Sequence, residues 1–310
     1  MKNIFQISIK GIIPPLITPL NEDKSLDCKS LDLLLEHIIR GGVHGVFIIG
    51  TTGESASLSL KLKKELIEET VRIVNHRIPV LIGVTDSSFD VSMELANTAF
   101  KFGANALVTA PPFYFNLSQE ELIAYYKNLA DGSPLPLFLY NMPSHTKINF
   151  EIDTLMELSK HPNIIGLKDS SGNAPYFQKL IYNFRDNADF RLFVGPEETI
   201  AETVLMGGHG GVPGGANLFP ALYVALYEAA LRKDHERILP LHNLVMKISS
   251  EIYAINSNQS SYLKGLKGAL ATLGLCEEYL AEPLSPFAKE DRDIIADRLH
   301  KLQASLSEIV

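Results

Sequence analysis

Asn163-Ile164-Ile165-Gly166-Leu167-Lys168 is a short apolar run that ends on an amine. Residues 163–167 read as a fully buried strand, of the kind found in parallel sheets covered on both faces. An unpaired ammonium is costly to desolvate, so a lysine at this exit needs either an ion-pair partner or a chemical task. Two other strand exits favour the task. Leu137-Phe138-Leu139-Tyr140-Asn141-Met142-Pro143 ends beside a phenol, and Val46-Phe47-Ile48-Ile49-Gly50-Thr51-Thr52-Gly53-Glu54-Ser55 ends in a hydroxyl-rich turn. An amine, a phenol and hydroxyls converging on one pocket are the equipment of imine chemistry.

Working outward from that run, short apolar segments alternate with amphipathic ones as far as about Leu231. The predicted strands are Gly11–Thr18, Gly45–Ile49, Val80–Val84, Ala106–Thr109, Leu137–Asn141, Ile164–Lys168, Arg191–Gly195 and Gly210–Val212. Between them, Leu62, Leu66, Ile67, Thr70, Val71 and Val74 share one helical face, and Val91, Leu95, Ala99 and Phe102 share another. Ser118-Gln119-Glu120-Glu121 has the spacing of a capping box opening a further helix. Eight strand–helix units with strands too apolar to face water imply an α/β fold with a parallel sheet covered by helices. The eight-fold count favours a closed (β/α)₈ TIM barrel, and no GxGxxG follows the first strand to support an open doubly wound sheet. The barrel is expected over residues 1–232. Helical patterns at Asp234–Ile255, Ser260–Leu273 and Lys289–Leu306 make residues 233–310 a C-terminal helical extension, packed on the barrel and available for subunit contacts.

Composition narrows the function classes. The chain has 310 residues, enough for one barrel-sized domain, with 46% hydrophobic and 21% charged residues. A formal net charge of −8 argues against nucleic acid or an anionic membrane as partner. Cys28 and Cys276 are the two cysteines and form no CxxC pair, which fits a reducing cytoplasm better than a disulfide scaffold. Met1–Lys10 lacks the sustained apolar core of a signal peptide, and no run of about 18 apolar residues is present to cross a bilayer. A cytoplasmic, soluble protein is expected.

In such barrels the active site lies at the C-terminal ends of the strands. Thr51 and Thr52 stand there after strand 2, Tyr114 after strand 4, Tyr140 after strand 5, Lys168 after strand 6 and a glycine-rich segment after strand 8. A nucleophilic lysine must be neutral when it attacks, and desolvation by an apolar interior favours the neutral amine. Lys168 would then add to a substrate ketone, and the protonated imine would draw electrons from the neighbouring carbon. Tyr140 is placed to shuttle protons, with Thr51 and Tyr114 relaying them. Gly50–Ser55 reads as a cradle for a carboxylate, with N–H groups and two threonine hydroxyls as donors. The segment 207–217 holds six glycines and lets backbone approach a substrate closely. It lacks the Lys-Ser/Thr pair of a P-loop, and His209 within it has no second histidine at ligand spacing, so it is expected to be structural.

Taken together, Gly50-Thr51-Thr52-Gly53-Glu54-Ser55, Tyr140-Asn141-Met142-Pro143 and Gly166-Leu167-Lys168-Asp169 resemble the dihydrodipicolinate synthase / N-acetylneuraminate lyase family. The resemblance covers nearly the whole chain, in order. It implies a homotetrameric barrel acting on pyruvate or another 2-oxo acid through a lysine Schiff base, with no cofactor and no metal. By matching position, Lys168 would form the Schiff base and Tyr140 would donate and accept protons. Thr51 and Thr52 would hold the substrate carboxylate, Val212 would set its main chain beside the imine, and Tyr114 would complete the relay in a neighbouring subunit.

Departures from the family pattern bear on the second substrate. Dihydrodipicolinate synthases carry Tyr-Asn-Val-Pro-x-Arg-Thr, whose arginine binds the carboxylate of aspartate semialdehyde. Here the segment is Tyr140-Asn141-Met142-Pro143-Ser144-His145-Thr146, so His145 occupies the arginine's place. Histidine cannot form the same bidentate fork, and losing such a pair weakens binding by about 2 kcal/mol or more. Pro213, Gly214 and Gly215 replace bulkier residues, which predicts a roomier pocket. Neuraminate lyases usually have Gly-Ser-Thr-Gly-Glu where this chain has Gly50-Thr51-Thr52-Gly53-Glu54. The favoured reading is therefore an aldolase or dehydratase for a 2-keto-3-deoxy sugar acid or similar 2-oxo acid. The alternative is a genuine 4-hydroxy-tetrahydrodipicolinate synthase. A catalytically silent metabolite-binding paralogue is the reading of a different class, and the intact lysine, tyrosine and threonine set argues against it.

Overall fold

Gly11–Ile12 (β1), Val46–Ile48 (β2), Val80–Gly83 (β3), Ala106–Thr109 (β4), Leu137–Asn141 (β5), Ile164–Asp169 (β6), Arg191–Val194 (β7) and Gly210–Gly211 (β8) form one parallel sheet. The computed structural model describes residues 9–306, so most of the N-terminal segment judged above for a signal peptide lies outside the described residues. Strand order runs β1-β8-β7-β6-β5-β4-β3-β2. The seam between β1 and β2 is closed by a parallel bridge from Pro15 to Phe47. There His44 N–H donates to Ile12 O (2.8 Å), Phe47 N–H to Pro14 O (2.9 Å) and Leu16 N–H to Phe47 O (2.8 Å). The result is a (β/α)₈ barrel.

Alternation along the strands divides the core in two. Ile13, Phe47, Leu81, Ala106, Val108, Phe138, Tyr140, Phe193 and Val212 point into the lumen and pack together. Their neighbours Val46, Ile48, Ile82, Leu107, Leu139, Leu167 and Leu192 point outward, joining the core under the helices. Both strand faces are buried, which is why the strands read as continuous apolar runs. Six of the helices open on side-chain caps: Asp27, Ser59, Ser88, Asn173 and Asp234 each accept from a backbone N–H, and Ser118 with Glu121 forms a capping box.

Several boundaries differ from the sequence expectation, and three of the differences are the most telling. The first strand is only Gly11–Ile12, because Pro14 and Pro15 have no N–H to extend a ladder. Ile49 leaves β2 with φ of 57°, a strained position for a β-branched residue, and turns the chain into the Gly50–Ser55 loop. The helix expected to reach Ile255 stops at Ile248 and widens into a π-type turn over Ser249–Tyr253. Helices Ser261–Thr272 and Lys289–Leu306 follow, and Ile252, Leu266, Leu270, Ile295, Leu299 and Leu302 join the core around the barrel. Among the described residues no helix is long and apolar enough to cross a membrane.

Candidate active site

Strands β5 and β6 set the centre. Their register places Tyr140 opposite Lys168, both pointing into the lumen at its C-terminal end. Lys168 is only 7% exposed, and its Nζ lies 3.9 Å from the Tyr140 ring centroid and 5.2 Å from that of Phe47. Among the described residues it enters no salt bridge, so the ion-pair explanation for this buried lysine does not hold. The Tyr140 hydroxyl is 3.4 Å from Thr51 Oγ1. Burial pushes the Tyr140 phenol up, but the Lys168 charge and hydrogen bonding with Thr51, Ser170 and Lys168 outweigh it, leaving the phenol below its ordinary value. A phenol so placed gives up its proton more readily.

The Gly50–Ser55 turn is anchored from below and from the side. Glu54 N–H donates to Thr51 O and Ser55 N–H to Gly50 O, so these two N–H groups are engaged inside the turn. Those two N–H groups of the expected cradle are therefore not open to a carboxylate. Thr18 Oγ1 donates to Gly53 O at 2.8 Å. Glu54 is buried, pairs with Lys267 at 2.7 Å and accepts from Ala281 N–H at 2.7 Å, tying the turn to the C-terminal helices. Burial pushes the Lys267 amine down and Glu54 opposes that shift.

Sequence reasoning missed a second buried carboxylate. Glu197 follows β7, and its Oε1 accepts from the hydroxyls of Tyr223 (2.5 Å) and Tyr253 (3.0 Å), its Oε2 from Gly215 N–H (2.9 Å). Burial pushes its carboxyl up to about 7, with the hydrogen bonds from Tyr223 and Gly215 opposing and the charge of Glu198 adding to the rise. Tyr253 meets Tyr262 edge-on at 4.8 Å, and the Tyr262 hydroxyl is 3.0 Å from Thr52 Oγ1. This corrects the expectation of extra room at Pro213-Gly214-Gly215. A Cβ on Gly214 would collide with the Tyr262 hydroxyl, and one on Gly215 with that of Tyr223. The space left by these glycines is filled by tyrosine hydroxyls. The only signal in the sequence was the pair Glu197-Glu198 just past a strand exit.

Two adjoining chambers open on this centre. The inner one, about 300 Å³, holds Lys168, Tyr140, Thr51, Thr52, Val212 and Tyr262. The outer one, about 400 Å³, extends past His145 toward Ser55, Phe113, Gln259 and Leu284. His145 lies in the short helix Pro143–Thr146 and borders both, with Nδ1 2.9 Å from Ser144 Oγ. Burial, reinforced by Lys147, pushes its imidazole below the ordinary value, so it is neutral at pH 7. Val212 N–H donates to Val194 O at 2.8 Å, which fixes the main chain at the β8 exit. Tyr114 is the one predicted residue not gathered here: it is 81% exposed and rests edge-on against Phe115. His209 sits at the opposite end of the barrel, its Nδ1 accepting from Leu192 N–H, and burial pushes it down to about 4. It lies among the residues of neither chamber. Among the described residues no group of three or more His, Cys, Asp or Glu side chains is placed to hold a metal.

The sequence profile of the dihydrodipicolinate synthetase family matches residues 8–302. This chain belongs to that family. Its members are class I lyases and aldolases that work through a lysine Schiff base. The 4-hydroxy-tetrahydrodipicolinate synthase of Ralstonia nicotianae is 32% identical over 287 residues, covering 93% of this chain and 95% of the relative. Among solved structures, dihydrodipicolinate synthase from Bacteroides thetaiotaomicron superimposes with a TM-score of 0.93 at 51% identity, covering 96% of this chain and all of the other. YagE, a prophage protein from Escherichia coli K12 solved with pyruvate, has a TM-score of 0.90 at 27% identity and covers 96% and 99% of the two chains.

Proposed function

We propose that this family member forms a Schiff base between Lys168 and pyruvate or a larger 2-oxo acid, and acts as an aldolase or dehydratase on a 2-keto-3-deoxy sugar acid or similar substrate. The Lys168 amine adds to the keto carbon, and water leaves after Tyr140 supplies a proton. The resulting iminium draws the electrons of the adjacent bond: in cleavage Tyr140, now without its proton, takes the C4 hydroxyl proton, the C3–C4 bond breaks, an aldehyde departs and an enamine remains. Protonation of the enamine and hydrolysis of the imine return the free amine. In dehydration a C3 proton leaves first to give the enamine, which expels the C4 hydroxyl as water and leaves a conjugated imine that is then hydrolysed. Thr51 and Thr52 hold the carboxylate, Thr51 also passes protons to Tyr140, and the Val212 main chain lies beside the imine. In the same reading the chain is a homotetramer whose exposed Phe113-Tyr114-Phe115 rim lets Tyr114 join the relay of a neighbouring subunit.

One observation carries the choice of second substrate. Lys168 is the only lysine or arginine lining either chamber among the described residues. A second carboxylate would find no fixed positive charge in the outer chamber, whereas Ser55, Ser57, Thr85, Ser144 and Gln259 offer neutral hydrogen bonds to hydroxyl groups. The alternative, condensation of pyruvate with aspartate semialdehyde, is favoured by the name carried by the Ralstonia relative. Borohydride trapping with pyruvate, followed by peptide mass spectrometry, tests the chemistry: the adduct is expected on Lys168, and trapping elsewhere refutes the mechanism. Turnover of keto-sugar acids against aspartate semialdehyde separates the two substrates.

A further inference from the structure

Tyr262 reaches the site from the C-terminal helix Ser261–Thr272, 210 residues along the chain from its contact. Its hydroxyl touches Thr52 Oγ1 and not Lys168 or Tyr140, which marks it as acting through the threonine. Either oxygen of this pair could donate. A phenol is a much stronger acid than an alcohol, and its oxygen is the poorer acceptor, so the phenol donates and the threonine oxygen accepts. Burial, together with the negative field of Glu197, raises the Tyr262 phenol and keeps it protonated for that task. Thr52 Oγ1 makes no other hydrogen bond among the described residues. With an acceptor position taken by Tyr262, the one proton on the Thr52 hydroxyl is free to point into the inner chamber.

We propose that Tyr262 is a positioning residue that orients the Thr52 hydroxyl proton toward the carboxylate of the 2-oxo acid. The inference rests on the reading above in which Thr52 binds that carboxylate. Glu197, Tyr223 and Tyr253 form the frame that holds Tyr262 in place, and Gly214 leaves the room it needs. The tyrosine therefore tunes substrate binding without touching the reacting carbon.

The test measures borohydride trapping against pyruvate concentration in the unmodified protein and in Tyr262→Phe, Thr52→Val and the double variant. Acetone, which lacks the carboxylate, is trapped in parallel. Tyr262→Phe keeps the ring and is expected to raise the half-saturating pyruvate concentration about tenfold, the loss of roughly one hydrogen bond. Its trapping at saturation, and its trapping of acetone, should stay within about threefold of the unmodified protein. Adding Tyr262→Phe to Thr52→Val should weaken pyruvate no further. An unchanged half-saturation in Tyr262→Phe, an equal loss with acetone, or an additive loss in the double variant overturns the inference. If the unmodified protein is not trapped on Lys168 at all, the reading of the function fails and this inference with it.

Discussion

Tyr140 and Lys168 are cross-strand partners on adjacent parallel strands, and the lysine amine lies 3.9 Å from the centroid of the tyrosine ring. The register that pairs them is fixed by the flanking residues: Leu139 and Leu167 point outward under the helices, so a slip of one residue would expel both functional groups from the lumen. Fold and chemistry are thus specified by the same alternation.

Replacing Tyr140 by Phe keeps the ring that packs in the lumen against Phe47 and Phe138. It removes the hydroxyl that faces Thr51. The fold should persist, turnover should fall by about 10² or more, and imine formation with pyruvate should suffer less than turnover. Steady-state kinetics beside circular dichroism check this. Near-normal turnover would mean that another group moves the protons.

The buried pair Lys267–Glu54 makes a stability prediction. Each side chain is 1% exposed, so removing one partner strands a charge in the interior. Lys267→Met should cost about 3–5 kcal/mol, and adding Glu54→Gln should recover part of it. Denaturant unfolding of the single and double variants measures both. A single variant as stable as the parent would show that water or another group compensates the carboxylate.

Glu197 gives the fold a pH dependence. Its folded value of about 7 lies above its ordinary 4.5. The folded chain therefore holds a proton that the unfolded chain has lost, and stability falls as pH rises from about 4.5 to about 7. The rise corresponds to on the order of 3 kcal/mol. Glu197→Gln cannot ionise, so its stability relative to the parent should improve across that window. At low pH it should be the less stable protein, because its amide faces the Gly215 N–H. A gap between the two proteins that stays constant from pH 4.5 to 8 would count against this.

Much of this architecture was legible because buried strands are short and apolar and their exits carry the chemistry. Ala106–Thr109 and Leu137–Asn141 could be read to the residue, and Lys168 stood out by ending such a run. What escaped reading depends on contacts distant in sequence. Tyr262 gains meaning only when the C-terminal helix brings it to Thr52, and no local pattern encodes that meeting. Gly214 and Gly215 were visible, yet a missing side chain does not say whether a substrate or a neighbouring tyrosine will fill the space. Ile49 was counted into β2 because its side chain is apolar, while its left-handed backbone is set by the turn it must start.

Specificity is the sharpest test of the proposed function. His145 borders both chambers and is neutral at pH 7, so it offers a hydrogen bond where a carboxylate-bearing aldehyde wants a charged fork. Condensation with aspartate semialdehyde should accordingly be poor while pyruvate imine formation stays efficient, because the pyruvate carboxylate is assigned to Thr51 and Thr52. His145 stands at the mouth of the outer chamber, where the arginine of His145→Arg would present its charge. The substitution should raise kcat/KM for aspartate semialdehyde by about tenfold or more, the scale of one charge-assisted pair, and leave borohydride trapping of pyruvate unchanged. A keto-sugar acid serves as control and should lose activity or stay level in the same variant. If the unmodified protein already condenses aspartate semialdehyde at about 10⁴ M⁻¹s⁻¹ or better, within the ordinary enzyme range, the keto-sugar reading is wrong and the synthase alternative stands.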